Sequence, residues 1–220
     1  MRRFVLLVAV MAATLVLASG VALALSKIGT NGPDTLRGTN GDDDLLGRGG
    51  QDNMFSLDGT DNMLGGAGKD NVYAGTERRA GGGDKNLQGG SGNDVVLGGL
   101  GTDSLLGGTG NDLLDGYRGP DNIVGEEGND FLQDGGVRDA SKDTLSGGPG
   151  GDVFRVGNKP SFGDVVTCGS GFDRVAADRE DMIAADCEKV AIGPAASKAL
   201  FKAIPKAEEE AFVEGLPPLP

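Results

Sequence analysis

The sequence predicts an all-β protein in which short strands stack into two parallel sheets, with 18 residues in each coil. The main observation is a nine-residue phrase, G-G-x-G-x-D-x-U-x with U apolar, that recurs from Gly29 to Arg155. Its Gly-rich part is typical of a tight turn, because glycine adopts positive φ without steric cost. Its last three residues form a minimal strand, so two phrases make one coil with a strand on each of two opposite faces. The apolar side chains then point inward between the sheets.

The composition supports a repeat protein and argues against several other classes. The 220 residues include 41 Gly, only 5% aromatic residues and no Trp, which is too few large side chains for a conventional globular core. A Gly-rich chain without a period would be disordered, but here the period is fixed. The formal net charge of −13 argues against nucleic acid as a partner.

Residues 1–24 have the features of a secretory signal peptide. Arg2 and Arg3 precede an apolar stretch that ends at an A-x-A site, Ala22-Leu-Ala24. The alternative is an uncleaved membrane anchor, since the apolar stretch is about 20 residues long. Both interpretations place the remainder of the chain outside the cell. After cleavage we expect no transmembrane segment to remain.

Residues 27–155 hold the repeats, and each copy carries an Asp followed two residues later by an apolar side chain. The phase shifts twice, through extra residues between Asp70 and Asp94 and through a four-residue insertion before Asp143. In the copy between Asp70 and Asp94, Lys85 stands where Asp should be. The Asp positions are Asp34, Asp43, Asp52, Asp61, Asp70, Asp94, Asp103, Asp112, Asp121, Asp130, Asp143 and Asp152. The apolar positions are Leu36, Leu45, Met54, Met63, Val72, Leu87, Val96, Leu105, Leu114, Ile123, Leu132, Leu145 and Phe154.

Turns that are 18 residues apart lie directly above one another in such a stack, so the acidic side chains form two rows. One edge carries Asp34, Asp52, Asp70, Asp94, Asp112, Asp130 and Asp152, and the other carries Asp43, Asp61, Lys85, Asp103, Asp121 and Asp143. Rows of like charge repel, and a hard divalent cation with oxygen ligands removes the repulsion. Calcium fits better than magnesium, which demands a tighter octahedron, and the chain has no His for a transition metal. For any single Asp, the alternative is a turn residue that caps its own backbone.

The copies at residues 89–97, 98–106 and 107–115 resemble the RTX, or hemolysin-type calcium-binding, nonapeptide repeat family. The resemblance covers residues 29–155 and is looser at the start, where Thr39, Arg48 and Leu57 replace the second Gly. It implies a parallel β-roll that binds several calcium ions, each held between consecutive turns of one edge by carbonyls and the motif Asp. The implied pairs are Asp94 with Asp112, Asp112 with Asp130, Asp103 with Asp121, Asp34 with Asp52, Asp52 with Asp70, and Asp43 with Asp61.

Lys85 interrupts the second row of carboxylates. The stacking places its ammonium between Asp61 and Asp103. A positive side chain there would replace the cation by a salt bridge. We therefore expect a gap without metal at this point of the edge.

Residues 156–192 are predicted to form a degenerate cap of the roll. The D-x-U pattern persists there as Asp164-Val-Val166, Asp173-Arg-Val175, Asp181-Met-Ile183 and Glu188-Lys-Val190. Cys168 and Cys187 are 19 residues apart, close to one coil, so a disulfide between them would staple the open end of the stack. An even number of cysteines in a secreted chain favours this bridge over two buried thiols. Residues 193–220 are predicted to be a partly helical or disordered tail.

These features favour a secreted calcium-binding protein that folds when calcium binds and has a structural or interaction role with an extracellular or cell-surface partner. The alternative is a calcium-dependent adhesin that binds a surface or carbohydrate. Catalysis is disfavoured because the chain has no His for a catalytic triad or a zinc-protease motif, and no Ser with Gly two residues away on both sides. A hydrolase-associated repeat protein is therefore the least favoured of the three.

Overall fold

The computed structural model describes residues 24–75, 85–135, 139–157 and 163–193, and all regular secondary structure in these ranges is β-strand. The strands are β1 (Ser26–Ile28), β2 (Thr35–Arg37), β3 (Asp44–Gly49), β4 (Asn53–Phe55), β5 (Asn62–Ala67), β6 (Asn71–Tyr73), β7 (Lys85–Ser91), β8 (Val95–Leu100), β9 (Asp103–Thr109), β10 (Leu113–Arg118), β11 (Asn122–Glu127), β12 (Phe131–Gln133), β13 (Thr144–Pro149), β14 (Val153–Arg155), β15 (Val165–Ser170), β16 (Arg174–Ala177), β17 (Met182–Ile183) and β18 (Lys189–Ile192). Residues 1–23 of the predicted signal peptide (1–24) and residues 194–220 of the predicted tail (193–220) lie outside these ranges. Among the described residues, no helix has the length and hydropathy needed to cross a membrane.

The strands alternate between two parallel sheets of nine strands each. Odd-numbered strands form one sheet in the order β1 to β17, and even-numbered strands form the other, from β2 to β18. Each strand pairs in parallel with the strand one coil later, as in the pairing of Leu45 with Met63 and of Leu105 with Ile123. The predicted two-sheet solenoid with 18 residues per coil is therefore confirmed in the regular copies.

Both shifts of phase leave the strand register intact. Met63 pairs with Leu87 across the first insertion, and Ile123 pairs with Leu145 across the second. Because side chains alternate between the two faces of a strand, a register error of one residue would have moved every apolar side chain to the outside. The extra residues are therefore accommodated between strands.

The core is a row of apolar side chains enclosed by the two sheets. All the predicted apolar positions from Leu36 to Phe154 are buried, and Val166 and Val175 continue the row into the cap. Burying an aliphatic side chain of this size contributes about 1.5–3 kcal/mol. A single coil has only two such side chains, so its core exists only when neighbouring coils cover it.

Many strands are longer than the three residues predicted. Strands β3 and β5 have six residues and β7 has seven, because pairing continues past the apolar position into the Gly pair. The second Gly residues pair with one another, as in Gly66 with Gly90 and Gly90 with Gly108. This pairing holds consecutive turns in register, which positions the Asp side chains that follow.

The C-terminal cap continues both sheets and carries the predicted disulfide. Strand β15 pairs with β17, and β16 pairs with β18. Cys168 and Cys187 are disulfide-bonded, with their Cα atoms 5.2 Å apart. The bridge joins β15 to the segment between β17 and β18, and the Cys168 side chain is buried in the core. The last coil is thus covalently tied to the one before it.

Candidate calcium sites

The motif Asp residues form hydrogen-bonded ladders along the two edges of the roll. The backbone N–H of Asp94 donates to Oδ1 of Asp112 at 2.8 Å, and the N–H of Asp112 donates to Oδ1 of Asp130 at 2.8 Å. The same contact links Asp34 to Asp52, Asp52 to Asp70, Asp70 to Asp94, Asp130 to Asp152, Asp43 to Asp61, Asp103 to Asp121, and Asp121 to Asp143. The structure therefore brings together the Asp pairs that the sequence predicted.

The first two copies also use Asp to cap their own turns. The backbone N–H of Thr30 donates to Oδ2 of Asp34 at 2.6 Å, and that of Thr39 donates to Oδ2 of Asp43 at 2.5 Å. The hydroxyl groups of both threonines donate to the same carboxylates. The alternative of a self-capping turn residue thus applies to these copies alongside the ladder contact.

In most later copies the second carboxylate oxygen, Oδ2, is buried and has no hydrogen-bond partner among the described residues. These oxygens belong to Asp52, Asp70, Asp94, Asp112, Asp121, Asp130, Asp143 and Asp152. A buried carboxylate oxygen without a donor or cation destabilises the folded state, because it has lost its hydrogen bonds to water and has no partner to replace them. The rows therefore present oxygens that require a positive partner.

The first Gly of the phrase keeps space open beside these oxygens. A Cβ placed on Gly89 would lie 2.6 Å from Oδ2 of Asp94 and 2.7 Å from the carbonyl oxygen of Gly107, which is the first Gly one coil later. A carboxylate oxygen and a backbone carbonyl oxygen thus face one point that a larger residue would fill. Carboxylate and carbonyl oxygens are the ligands that calcium prefers. The residues present therefore fit a calcium ion.

Burial raises the pKa of several carboxyl groups in the rows above their ordinary value of 3.8. The pKa rises to about 7 for Asp94, Asp112 and Asp152, chiefly through desolvation. The ladder hydrogen bond opposes this rise, while repulsion from neighbouring carboxylates adds to it. A nearby divalent cation reverses the preference, because it stabilises the ionised form.

Lys85 occupies its predicted place in the second row. Its side chain is buried, and its Nζ donates to the carbonyl oxygen of Gly59 at 3.1 Å and lies 4.0 Å from Oδ2 of Asp61. Burial raises the pKa of Asp61, and the Lys85 ammonium opposes that rise. In the sheet, Lys85 pairs with Asp103, as the stacking predicted. The ammonium thus lies beside the carboxylate that would otherwise face a cation.

Three buried carboxylates outside the predicted site also lie along the rows. The N–H of Asp143 donates to Oδ1 of Asp164 at 2.8 Å, and the N–H of Asp152 donates to Oδ1 of Asp173 at 2.7 Å. The D-x-U pattern located both as turn positions, but the fading Gly signature concealed their part in the ladders. The third, Asp139, is buried in the insertion before β13. Its distance of nine residues from Asp130 was the signal that could have identified it.

Comparison with known protein families agrees with this geometry. The RTX calcium-binding nonapeptide repeat matches four stretches, residues 28–63, 55–77, 79–114 and 115–136. These stretches contain the ladders from Asp34 to Asp130. No curated protein matches the chain. Repeats of this kind bind calcium. The chain belongs to the RTX calcium-binding nonapeptide repeat family, with its repeats in residues 28–136.

Proposed function

We propose that this protein is an extracellular calcium-binding protein whose roll folds when calcium enters the Asp rows, and that its role is structural or interactive. The observation that supports this is the series of buried Oδ2 atoms without a donor among the described residues. Metal-binding free energy becomes folding free energy when the unfolded chain holds no preformed site. Calcium would thus offset the cost of stacking carboxylates.

The proposed ligands are the motif Asp side chains from Asp34 to Asp152 together with carbonyl oxygens of the turns. Each ion would lie between consecutive coils of one edge, where Oδ2 and the carbonyl of the next first Gly face each other. The Lys85 position would hold no ion, because its ammonium already lies near Asp61. This arrangement stabilises a fold and supplies no catalytic group.

Export is supported by two features of the chain. Residues 1–24 resemble a signal peptide, and the Cys168–Cys187 disulfide suits an oxidising compartment. Extracellular calcium modules bind at about 10⁻⁴–10⁻³ M, far above cytosolic calcium levels. The chain would therefore remain unfolded before export and fold outside the cell.

Circular dichroism of the secreted chain, with calcium and with a chelator, tests the proposal. We expect the strand signal to appear at about millimolar calcium and to disappear when the ion is chelated. Magnesium at the same concentration is the control and should not restore the signal, because it demands a tighter octahedron. A strand signal that the chelator leaves unchanged would contradict the proposal.

A calcium-dependent adhesin is the second candidate, and the outer face of the odd-numbered sheet favours it. Asn62 Nδ2 donates to Oδ1 of Asp44 and Asn86 Nδ2 donates to Oδ1 of Asn62, both at 2.9 Å, so these side chains form a regular column. The neighbouring column exposes Ile28 and Leu64. A regular polar and apolar array suits a repetitive surface such as a polysaccharide. Binding on a glycan array that requires calcium would support this role, and no binding would leave the structural one.

A further inference from the structure

The insertion before β13 adds a second buried carboxylate to one edge of the roll. Asp139 follows Asp130 by nine residues, which is the spacing of the repeat, but the strand register assigns the motif position to Asp143. Thr144, the next residue, pairs with Asn122, so Asp143 stacks on Asp121. Asp139 is therefore an additional acidic side chain beside the row.

The Asp139 carboxylate has one satisfied oxygen and one unsatisfied oxygen. Its side chain is buried at 1% exposure, and Oδ1 accepts the N–H of Ala140 at 2.8 Å and that of Gly119 at 3.2 Å. Its Oδ2 is buried, and no N–H or O–H group in the described part of the chain donates to it when the carboxyl groups are ionised. The same holds for Oδ2 of Asp121 and of Asp143. Three carboxylates thus each bring one buried oxygen that lacks a donor.

The three carboxylates repel one another. The charge of Asp139 acts on Asp121 and on Asp143, and the Asp139 and Asp143 carboxyl groups lie within hydrogen-bonding distance of each other. A cation at this point would relieve the repulsion among three neighbouring carboxylates.

We propose that Asp139, Asp121 and Asp143 form a three-carboxylate calcium site that binds the most tightly held ion of the roll. This inference rests on the proposed calcium function and adds a ligand outside the nonapeptide motif. Calcium affinity rises with the number of charged ligands and with the rigidity of the site. Asp139 contributes one more charge than an ordinary coil provides, and its Oδ1 is held by two backbone N–H groups.

Calorimetric calcium titration of the full secreted chain and of Asp139→Asn tests the proposal. Asparagine keeps the oxygen that accepts the N–H groups of Gly119 and Ala140, but removes the charge. We expect the affinity of the tightest ion to fall about tenfold or more, with the weaker ions unchanged. Asp42→Asn is the matched control, since Asp42 is an exposed turn carboxylate whose Oδ1 accepts the N–H of Thr60. The Asp42→Asn variant should leave the affinity of the tightest ion unchanged.

Asp139→Glu separates a ligand from a purely structural residue. It keeps the charge, so we expect it to retain the tight ion that Asp139→Asn loses, with the strand signal in saturating calcium present in both. The proposal is overturned if Asp139→Asn retains the tight ion, or if both variants lose it together with the strand signal. A wild-type chain that binds no calcium would overturn the proposed function itself, whereas the first two outcomes leave that function standing.

Discussion

At the position where its neighbours in the row have Asp, Lys85 places a buried ammonium 4.0 Å from Oδ2 of Asp61. A buried charge is tolerated only when it is paired and hydrogen-bonded, and Lys85 meets both conditions through Asp61 and the Gly59 carbonyl. A side chain can therefore do at this coil what a metal ion is proposed to do at the others. The Lys85 ammonium is part of the chain at every calcium concentration, whereas a bound calcium ion dissociates when the calcium concentration falls.

Lys85→Asp is expected to increase the number of calcium ions bound, because the new carboxylate completes the row between Asp61 and Asp103. The gain should be one or two ions, counted by calorimetry or by equilibrium dialysis. Lys142→Asp is the control, since Lys142 is exposed near the same edge and the substitution changes the charge equally. An unchanged count in Lys85→Asp would show that the position does not exclude metal.

A second feature at the residue scale is a set of four residues with strained backbone conformations. Arg48, Leu57, Tyr117 and Glu126 replace the second Gly of the phrase and have φ between 71° and 86°, a region that costs a residue with a Cβ. We expect Glu126→Gly to raise the stability of the calcium-loaded roll by about 1 kcal/mol, measured by thermal unfolding. Glu127→Gly removes the same charge without a positive φ and should destabilise the strand. Equal effects of the two variants would contradict this explanation.

At the scale of the coil, the first Gly decides whether a turn can hold an ion. If Gly107 were replaced by alanine, its Cβ would lie 2.5 Å from Oδ2 of Asp112 and 2.7 Å from the carbonyl oxygen of Gly125. Both distances are shorter than non-bonded contacts allow. Since the carbonyl belongs to the backbone of the next coil, relief requires moving that coil, and the coil spacing is fixed by the sheets at about 4.8 Å.

Gly107→Ala is therefore expected to destabilise the calcium-loaded roll by about 3 kcal/mol and to reduce the number of ions bound. Thermal unfolding and calcium titration measure the two effects. Gly157→Ala is the control, because a Cβ at Gly157 would meet no atom within 4 Å. Wild-type calcium binding by Gly107→Ala would show that the space beside Asp112 is not used by the ion.

At the scale of the whole molecule, the rows couple folding to pH. The folded-state pKa values lie at about 6 for Asp130 and Asp164 and at about 9 for Asp121 and Asp143, against 3.8 in an unfolded chain. Because the folded pKa is raised, these groups favour the metal-free roll below pH 3.8. That contribution is lost progressively as the pH rises above 3.8, and the loss is complete at about pH 6 for Asp130 and Asp164 and at about pH 9 for Asp121 and Asp143.

In a chelator, the chain is therefore expected to gain strand signal when the pH is lowered from about 8 to about 4, since protons then neutralise the rows. Calcium should produce the same signal at about pH 8, where the carboxylates are ionised when the metal binds. Circular dichroism across this range measures both. A metal-free chain that is folded at the higher pH and unfolded at the lower pH would contradict the sign of the coupling.

The sequence predicted the apolar row, the pairing of Asp residues on each edge and the Cys168–Cys187 bridge, because all three depend on period alone. It correctly assigned the motif position to Asp143, which fits the strand register, but it passed over Asp139, which fits the nine-residue spacing from Asp130. It also missed the N–H to Oδ1 ladder, because that contact depends on the lateral offset of neighbouring turns. It also did not predict that strands such as β7 extend into the Gly pair, because that extension too depends on how neighbouring turns pair.

Each ladder has a direction, because the donor belongs to the earlier coil and the acceptor to the later one, up to Asp164 with Asp181 and Asp173 with Glu188. Proteins are made from the N-terminus, so every Asp amide is synthesised before its acceptor exists. A partly made chain thus always has an incomplete newest coil. The two rows close only when Asp181 and Glu188 have been added, so the ladders of the earlier coils are completed by residues that are made after them.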